Sequence, residues 1–163
     1  MNVLAIQSSG NETSLCVILG DDVLEYSISH ERKDRPNWQE MLSQIGLDSF
    51  FSMADIDIFA YANNEDSYTA TRSVASYLKG ISSALKKPLM AIDAGETNTI
   101  SSDLVAKSAI QKFKDSGMKS DLFDSKDANP TYALETKYKK INEWTNFKFY
   151  IRTYSGINWI FAN

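Results

Sequence analysis

The stretch from Asp55 to Asp93 contains a strand, a helix and a second strand in direct succession, and this limits the possible folds most. "DIDIFAYA" (Asp55 to Ala62) alternates and then becomes fully apolar, as does a strand in the middle of a sheet. Tyr68 to Lys86 follows as a helix, and "PLMAID" (Pro88 to Asp93) as a short buried strand. One apolar stripe of the helix is formed by Val74, Tyr77, Leu78, Ile81 and Leu85. The unit predicts two parallel strands joined by a right-handed crossover.

The residues before this unit predict an antiparallel meander and one more helix. Val3 to Gln7 and Leu15 to Leu19 pair across "SSGNET", and Val23 to Ser29 forms a third strand. A helix is then expected from Trp38 to about Phe51. The predicted fold is α/β, a mixed sheet with flanking helices, and its element order resembles the actin-like (ribonuclease H-like, ASKHA) lobe.

The succession of predicted sheet strands and their connecting helices ends at about residue 95. We therefore expect an N-terminal lobe of residues 1–95 and a C-terminal part of residues 96–163 that corresponds to a reduced second lobe. Ser101 or Ser102 is expected to cap a helix from Asp103 to Ser116, which Gly117 ends. The tail "NFKFYIRTYSGINWIFAN" alternates aromatic and polar residues around Ser155-Gly156 and predicts a β-hairpin.

Composition excludes several classes of protein. The chain of 163 residues has a net charge of -4, which argues against a broad basic surface for nucleic acid. Cys16 is the only cysteine, so there is no internal disulfide and no zinc cluster of cysteines. No signal peptide is recognised in "MNVLAIQ", and no stretch approaches the roughly 20 apolar residues of a membrane span. We expect a cytoplasmic protein without membrane contact.

The first motif is "LAIQSSGNETSLCVIL", a hairpin of the type that wraps phosphates. Gln7 occupies the place where such hairpins carry an acid. An amide is neutral and is a poor ligand for a hard cation. Ser8, Ser9 and Thr13 still offer hydroxyl groups that suit an anion, but the sequence favours an ordinary turn without a ligand.

The second motif is "YANNEDSYTATR", which joins a buried strand to a helix. Helix N-termini bind phosphate through free N–H groups, but Glu65 and Asp66 stand at this one and repel an anion. Asp66 or Ser67 is expected to be a plain N-cap. With the hairpin, this turn gives a degenerate phosphate loop whose residues are Gln7, Ser8, Ser9, Ser67, Tyr68, Thr69 and Arg72.

The two motifs resemble those of the TsaB (YeaZ) family, which reads I-D-T-S at the hairpin and A-Y-G-x-G-P-G-S-F-T-G-x-R at the turn. Tyr68 replaces the phenylalanine, and the glycines of the turn are replaced by other residues. "ANPTYALETKYKK" is similar to the family's closing P-x-Y-L-R segment. The matching residues are Ile6, Ser9, Ala60, Tyr61, Ser67, Thr69, Arg72, Pro130 and Tyr132. The chain looks like a shortened, divergent member.

The resemblance implies a non-catalytic scaffold in the synthesis of threonylcarbamoyladenosine on tRNA. Such a protein binds a TsaD-like catalytic subunit, or forms a homodimer through the same helices, and associates with tRNA only indirectly. No cofactor is expected. The expected interface residues are Met41, Leu42, Ile45, Ala70, Ala75, Tyr77, Gly80 and Ala84. Two alternatives stay open: a degenerate actin-like interaction module without a tRNA role, and a small enzyme of the actin-like superfamily.

Two further residues carry no predicted role. His30 is the only histidine, so the two-histidine metal site of the catalytic relatives cannot form, and a solvated loop position is expected. Cys16 lies on an apolar strand and is expected in the core.

We predict that the tail hairpin stabilises the fold, because a shortened chain exposes a sheet edge that an aromatic hairpin is suited to cover. Removal of residues 146–163 should lower the melting temperature and promote aggregation, measured by thermal unfolding and light scattering. An unchanged melting curve would show that the tail is an appendage.

Overall fold

The protein comprises two compact units. The computed structural model describes residues 1–31, 34, 36–63, 67–93, 100–131, 151–153 and 156–158. The first unit runs from Met1 to Tyr132 and the second from Ala133 to Asn163. The boundary expected after residue 95 falls inside the first unit, because the helix that follows residue 101 packs on the sheet.

The first unit is built on a five-stranded mixed sheet. Its strands are β1 (Val3–Ser8), β2 (Glu12–Leu19), β3 (Asp22–Ser29), β4 (Ile58–Asn63) and β5 (Leu89–Asp93), in the spatial order β3-β2-β1-β4-β5. The pairs β1–β2 and β2–β3 are antiparallel, whereas β1–β4 and β4–β5 are parallel. The predicted meander and crossover unit are confirmed.

Three α-helices accompany the sheet in the described residues. They are α1 (Trp38–Gln44), α2 (Tyr68–Leu85) and α3 (Ser102–Asp115). The predicted bounds of α2 and α3 agree with the structure to within one residue at each end. None of the helices in the described ranges is long and apolar enough to cross a membrane.

β1 is buried on both faces and divides the core into two clusters. Leu4 and Ile6 pack in one cluster with residues of α1 and α2, and Val3 and Ala5 pack in the other with residues of α3. This follows from the strand period of two, which sends successive side chains to opposite faces. All six residues of β1 are therefore buried.

The first helix is shorter than predicted. α1 ends at Gln44 instead of about Phe51, because Gly46 adopts φ +107°, a conformation open to glycine. A Cβ on Gly46 would lie 2.5 Å from the Phe50 ring. The backbone N–H groups of Ser49, Phe50 and Phe51 then all donate to the carbonyl oxygen of Gly46, at 3.1, 2.8 and 3.4 Å.

The strand predicted from Asp55 begins later, at Ile58. Met53–Asp55 forms a 3₁₀ turn instead. The Asp55 carboxylate accepts hydrogen bonds from the backbone N–H (2.7 Å) and the hydroxyl (2.8 Å) of Ser52. These bonds lower the pKa of Asp55 and close the turn, so the residue cannot extend the strand.

The segment 128–131 is fastened to the carboxyl end of β4, and we call this contact the clasp. The Tyr61 hydroxyl donates to the backbone oxygen of Ala128 at 2.9 Å in a buried position. Asn63 accepts a bond from the backbone N–H of Thr131 at 3.1 Å and donates to the Thr131 hydroxyl. The clasp extends the first unit well beyond the residues of the sheet.

The second unit contains the predicted tail hairpin. β6 (Ile151–Thr153) and β7 (Gly156–Asn158) pair antiparallel, with Ile151 opposite Asn158. The prediction of a hairpin is confirmed. Its stabilising role stays a prediction, and the rest of the family-like segment, from Tyr132 to Lys140, lies outside the described residues.

We predict that Tyr61→Phe lowers the free energy of unfolding by about 1–2 kcal/mol, because it leaves the buried carbonyl oxygen of Ala128 without its donor. Urea unfolding followed by circular dichroism measures the change. Tyr77→Phe is the matched control, since no hydrogen bond of the Tyr77 hydroxyl occurs among the described residues. Equal stabilities of the two variants would contradict a structural role for the clasp.

Candidate functional site

A groove of about 660 Å³ opens where β1 and β4 end. After β1 the chain turns back into β2, and after β4 it turns the other way into α2, so the two parallel strands diverge here. Ligands of open α/β sheets bind at such switch points. Ser8–Gly10 line one side, Ser67–Ala70 line the second, and the start of α1 with Pro36 and Trp38 lines the third.

The hairpin side of the groove contains a chain of hydrogen bonds. Ser8 Oγ lies 2.7 Å from Thr13 Oγ1, and Thr13 Oγ1 lies 2.9 Å from His30 Nε2. Ser8 is 3% exposed and Thr13 is fully buried. Ser9 closes the turn itself, because its N–H donates to the backbone oxygen of Glu12 at 2.7 Å. The hairpin is thus held rigid by its own polar groups.

The second side of the groove is the first turn of α2. Ser67 is the N-cap residue, as predicted, but its hydroxyl makes no capping hydrogen bond. Ser67 and Thr69 both line the groove. Since a helix N-terminus carries N–H groups without intrahelical partners, this turn supplies hydrogen-bond donors. Asn64, Glu65 and Asp66, including the alternative cap, lie outside the described residues.

Arg72 and Tyr68 form a pair on the surface of α2. The Arg72 Nη1 donates to the Tyr68 hydroxyl at 2.6 Å, and the guanidinium carbon lies 5.1 Å from the centroid of the Tyr68 ring. Their spacing of four residues places them one turn apart on the same face. Both residues line the groove, so Arg72 places a fixed positive charge at its rim.

Gln7 lies on the other face of the sheet from the rest of the predicted loop. Its neighbour Ser8 points toward α1 and α2, so the alternation of β1 turns Gln7 toward α3. Gln7 is 4% exposed, and its Oε1 accepts a hydrogen bond from Ser14 Oγ at 3.2 Å. A smaller depression with Ser101–Asp103 lies on that side. The expectation that Gln7 lines the same site as Ser8 is wrong.

The groove has the composition of a hydrogen-bonding site without a metal anchor. Asp34 is the carboxylate among its described lining residues, with His30 and Arg72 as basic groups. Nowhere in the described ranges do three or more His, Cys, Asp or Glu side chains group in a way that suits a metal ion. Cys16 is buried as predicted, and burial raises its pKa to about 12, which keeps the thiol protonated and unreactive.

The expected interface residues fall into two groups. Met41, Leu42, Ile45 and Ala75 are buried at 5% exposure or less in the core beside α1 and α2, so the expectation that their side chains contact a partner is wrong. Their helical spacing suggested that these side chains are exposed to a partner. In the structure the sheet covers α1, and Ala128 of the clasp packs in the same cluster.

The other expected interface residues lie at or near the surface of α2. Tyr77 is partly buried and stacks on Trp38, with ring centroids 5.6 Å apart. Ala70 is partly buried, whereas Gly80 and Ala84 are exposed. A Cβ on Gly80 would meet no atom within 4 Å. Whether a partner binds this face stays a prediction.

Sequence reasoning missed His30, which lies at the groove and not in a solvated loop. The signal was available in part: His30 follows β3 directly, and β3 pairs with β2 so that Ser29 lies opposite Glu12, beside Thr13. Trp38 and Asp34 were also not predicted as lining residues. Their approach depends on the path of the loop before α1, which no local pattern determines.

Solved structures with this fold include YeaZ from Pseudomonas aeruginosa and an uncharacterized protein with similarity to peptidase YEAZ from the same organism. Each shares 17% sequence identity and a TM-score of 0.52 with this chain, over 56% of this chain and 43% of the other. The chain thus spans less than half of the length of these proteins. No protein-family model matches the sequence, and no curated protein matches it.

The likeness confirms the predicted actin-like fold. The YeaZ structures are the neighbours that the sequence motifs predicted. At this identity the likeness concerns the fold, so the function does not follow from it.

We predict that the protein does not bind Mg-ATP at micromolar concentrations. A triphosphate needs a metal anchor, and the groove lacks an acid at the end of β1 because that position holds Gln7, which faces away. Calorimetric titration with Mg-ATP should give only heats of dilution. A clear micromolar isotherm would overturn this interpretation.

Proposed function

We propose that the protein is a non-catalytic, cytoplasmic scaffold subunit in the synthesis of threonylcarbamoyladenosine on tRNA. It binds a TsaD-like catalytic subunit through the outward surface of α1 and α2 and reaches tRNA only through that subunit. The observation that carries the proposal is the likeness of the fold to YeaZ at a TM-score of 0.52, in a chain that also carries family-like residues at both turns.

The composition of the groove supports a scaffold over an enzyme. Gln7 replaces the acid of the first turn and is turned toward α3, where its amide bonds to Ser14. Hydrogen bonds hold the hairpin together, and they involve the side chains of Ser8, Ser9 and Thr13. These hydrogen bonds stabilise the sheet, which is what a scaffold needs. A phosphate-transferring enzyme would need the same stability and a metal site as well.

The exposed surface of α2 supports the proposed contact. It offers a row of small residues at helical spacing, formed by Ser73, Ser76, Gly80, Ser83 and Ala84. Small side chains let two helices approach closely, and Gly80 leaves open space above the helix backbone. The buried residues Met41 and Leu42 hold α1 beside it and so fix the shape of the surface.

A second candidate function is an interaction module of the actin-like fold without a role in tRNA modification. The observation that favours it is the sequence identity of 17% to YeaZ, at which a shared fold does not carry a shared role. In that case the same α1–α2 surface forms a homodimer or binds an unrelated protein.

We predict that Gly80→Arg abolishes association with a TsaD-like subunit without unfolding the protein. A bulky charge cannot be desolvated in a close helix contact, whereas Arg is favourable in an exposed helix. Co-purification with the tagged subunit, and size-exclusion chromatography with light scattering, measure the association. Gln111→Arg, at an exposed position of α3, is the matched control.

The proposal requires that the parent protein and Gln111→Arg co-purify with the subunit and that Gly80→Arg does not. Co-purification of Gly80→Arg at the level of the parent would place the interface elsewhere. Failure of all three proteins to bind, together with a dimer of the parent that Gly80→Arg dissociates, would favour the interaction module.

A further inference from the structure

A chain of hydrogen bonds at the groove joins the side chains of Ser8 and Thr13 to the ionisable ring of His30. Ser8 and His30 line the groove, and Thr13, which does not line it, joins them through hydrogen bonds of 2.7 and 2.9 Å. Because Thr13 is fully buried, water does not compete for its hydroxyl. The hydroxyl has one hydrogen to donate, so its two neighbours cannot both accept from it.

The second ring nitrogen of His30 fixes the direction of the chain. His30 Nδ1 lies 3.1 Å from the backbone oxygen of Glu31. A carbonyl oxygen only accepts, so in the neutral ring Nδ1 carries the hydrogen and Nε2 carries the lone pair. The Thr13 hydroxyl then donates to Nε2, and the Ser8 hydroxyl donates to Thr13 Oγ1. The lone pairs of Ser8 that remain are available to the groove.

Protonation of His30 reverses each of these bonds. Nε2 becomes a donor to Thr13 Oγ1, and the Thr13 hydrogen turns toward Ser8 Oγ. The Ser8 hydrogen is then released from Thr13 and is available to the groove. No hydrogen bond between the three side chains is lost, but the end of the chain changes from an acceptor to a donor.

We propose that the His30–Thr13–Ser8 chain is a proton-controlled polarity switch in the groove. With neutral His30, Ser8 accepts hydrogen bonds and favours a ligand with amide, hydroxyl or ammonium donors. With charged His30, Ser8 donates and favours a carboxylate or another acceptor. The switch does not depend on the proposed scaffold role, because none of Ser8, Thr13 and His30 belongs to the proposed contact surface of α2.

Other charged and titratable groups surround the ring and provide the competing explanation. The electrostatic field of these groups, or of a charged His30 ring, acts on Ser8 through space. That effect does not require a hydroxyl group on residue 13. Among the described residues, the groups that line the groove, or stand beside His30 and Thr13 along the chain, are Glu12, Glu31, Asp34, Tyr68 and Arg72. A test must therefore remove the hydroxyl and keep every charge.

Thr13→Val makes that separation, because valine has the shape of threonine and cannot relay a hydrogen bond. Thr13→Ser is the matched control that keeps the hydroxyl. NMR measures the Ser8 ¹³Cβ shift and the His30 ring ¹⁵N shifts while the pH is lowered until the ring ¹⁵N shifts show that both ring nitrogens carry a proton. We expect Ser8 to follow the titration of His30 in the parent and in Thr13→Ser, and to lose that transition in Thr13→Val while His30 still titrates.

Two results would overturn the switch. If Ser8 keeps its transition in Thr13→Val, the coupling is a field effect, and if Ser8 shows no transition in the parent, there is no coupling. The ring ¹⁵N shifts of the parent give an independent check that needs no variant: neutral His30 should be protonated at Nδ1, and protonation at Nε2 would contradict the proposed direction of the chain.

Discussion

The structure of the first unit depends on the burial of β1 from both sides. β1 pairs with β2 on one edge and with β4 on the other, and its six side chains are covered by α1 and α2 on one face and by α3 on the opposite face. A strand so enclosed has no freedom of register, because a slip of one residue would exchange its two faces. The positions of Ser8 and Gln7 are set by this constraint.

The burial of β1 also explains why the polar residues at its end lie on two different faces of the sheet. Ser8 leaves β1 toward the groove and joins Thr13 and His30, while Gln7 leaves it toward α3 and joins Ser14. At the neighbouring strand β4, Tyr61 and Asn63 are occupied by the segment 128–131. The polar groups at the strand ends therefore serve two tasks: Tyr61 and Asn63 fasten the chain, whereas Ser8 lines the groove and also helps to hold the hairpin.

The sequence predicted the sheet and the longer helices well because their patterns are local. The stripe of α2 and the apolar runs of β1 and β4 each determine one element, and their order determined the topology. The end of α1 was missed because it depends on the φ of +107° at Gly46 and on the packing of Phe50 above it. The role of His30 and the clasp at Tyr61 were missed because each depends on residues far apart in the chain, which a periodic pattern does not detect. The burial of Ala75 does follow helical spacing, beside Val74 and Leu78, but the predicted stripe left it out.

β1 directs its side chains, and with them the polar residues at its end, to two separate faces of the sheet. Nuclear Overhauser contacts of a methyl-labelled sample distinguish these faces. We expect contacts of Leu4 and Ile6 with Val74 and Leu78, and contacts of Ala5 with Val105 and Ala109, since these residues form the two core clusters. Contacts of Leu4 or Ile6 with Val105 and Ala109 would contradict this arrangement, because Gln7, not Ser8, would then face the groove.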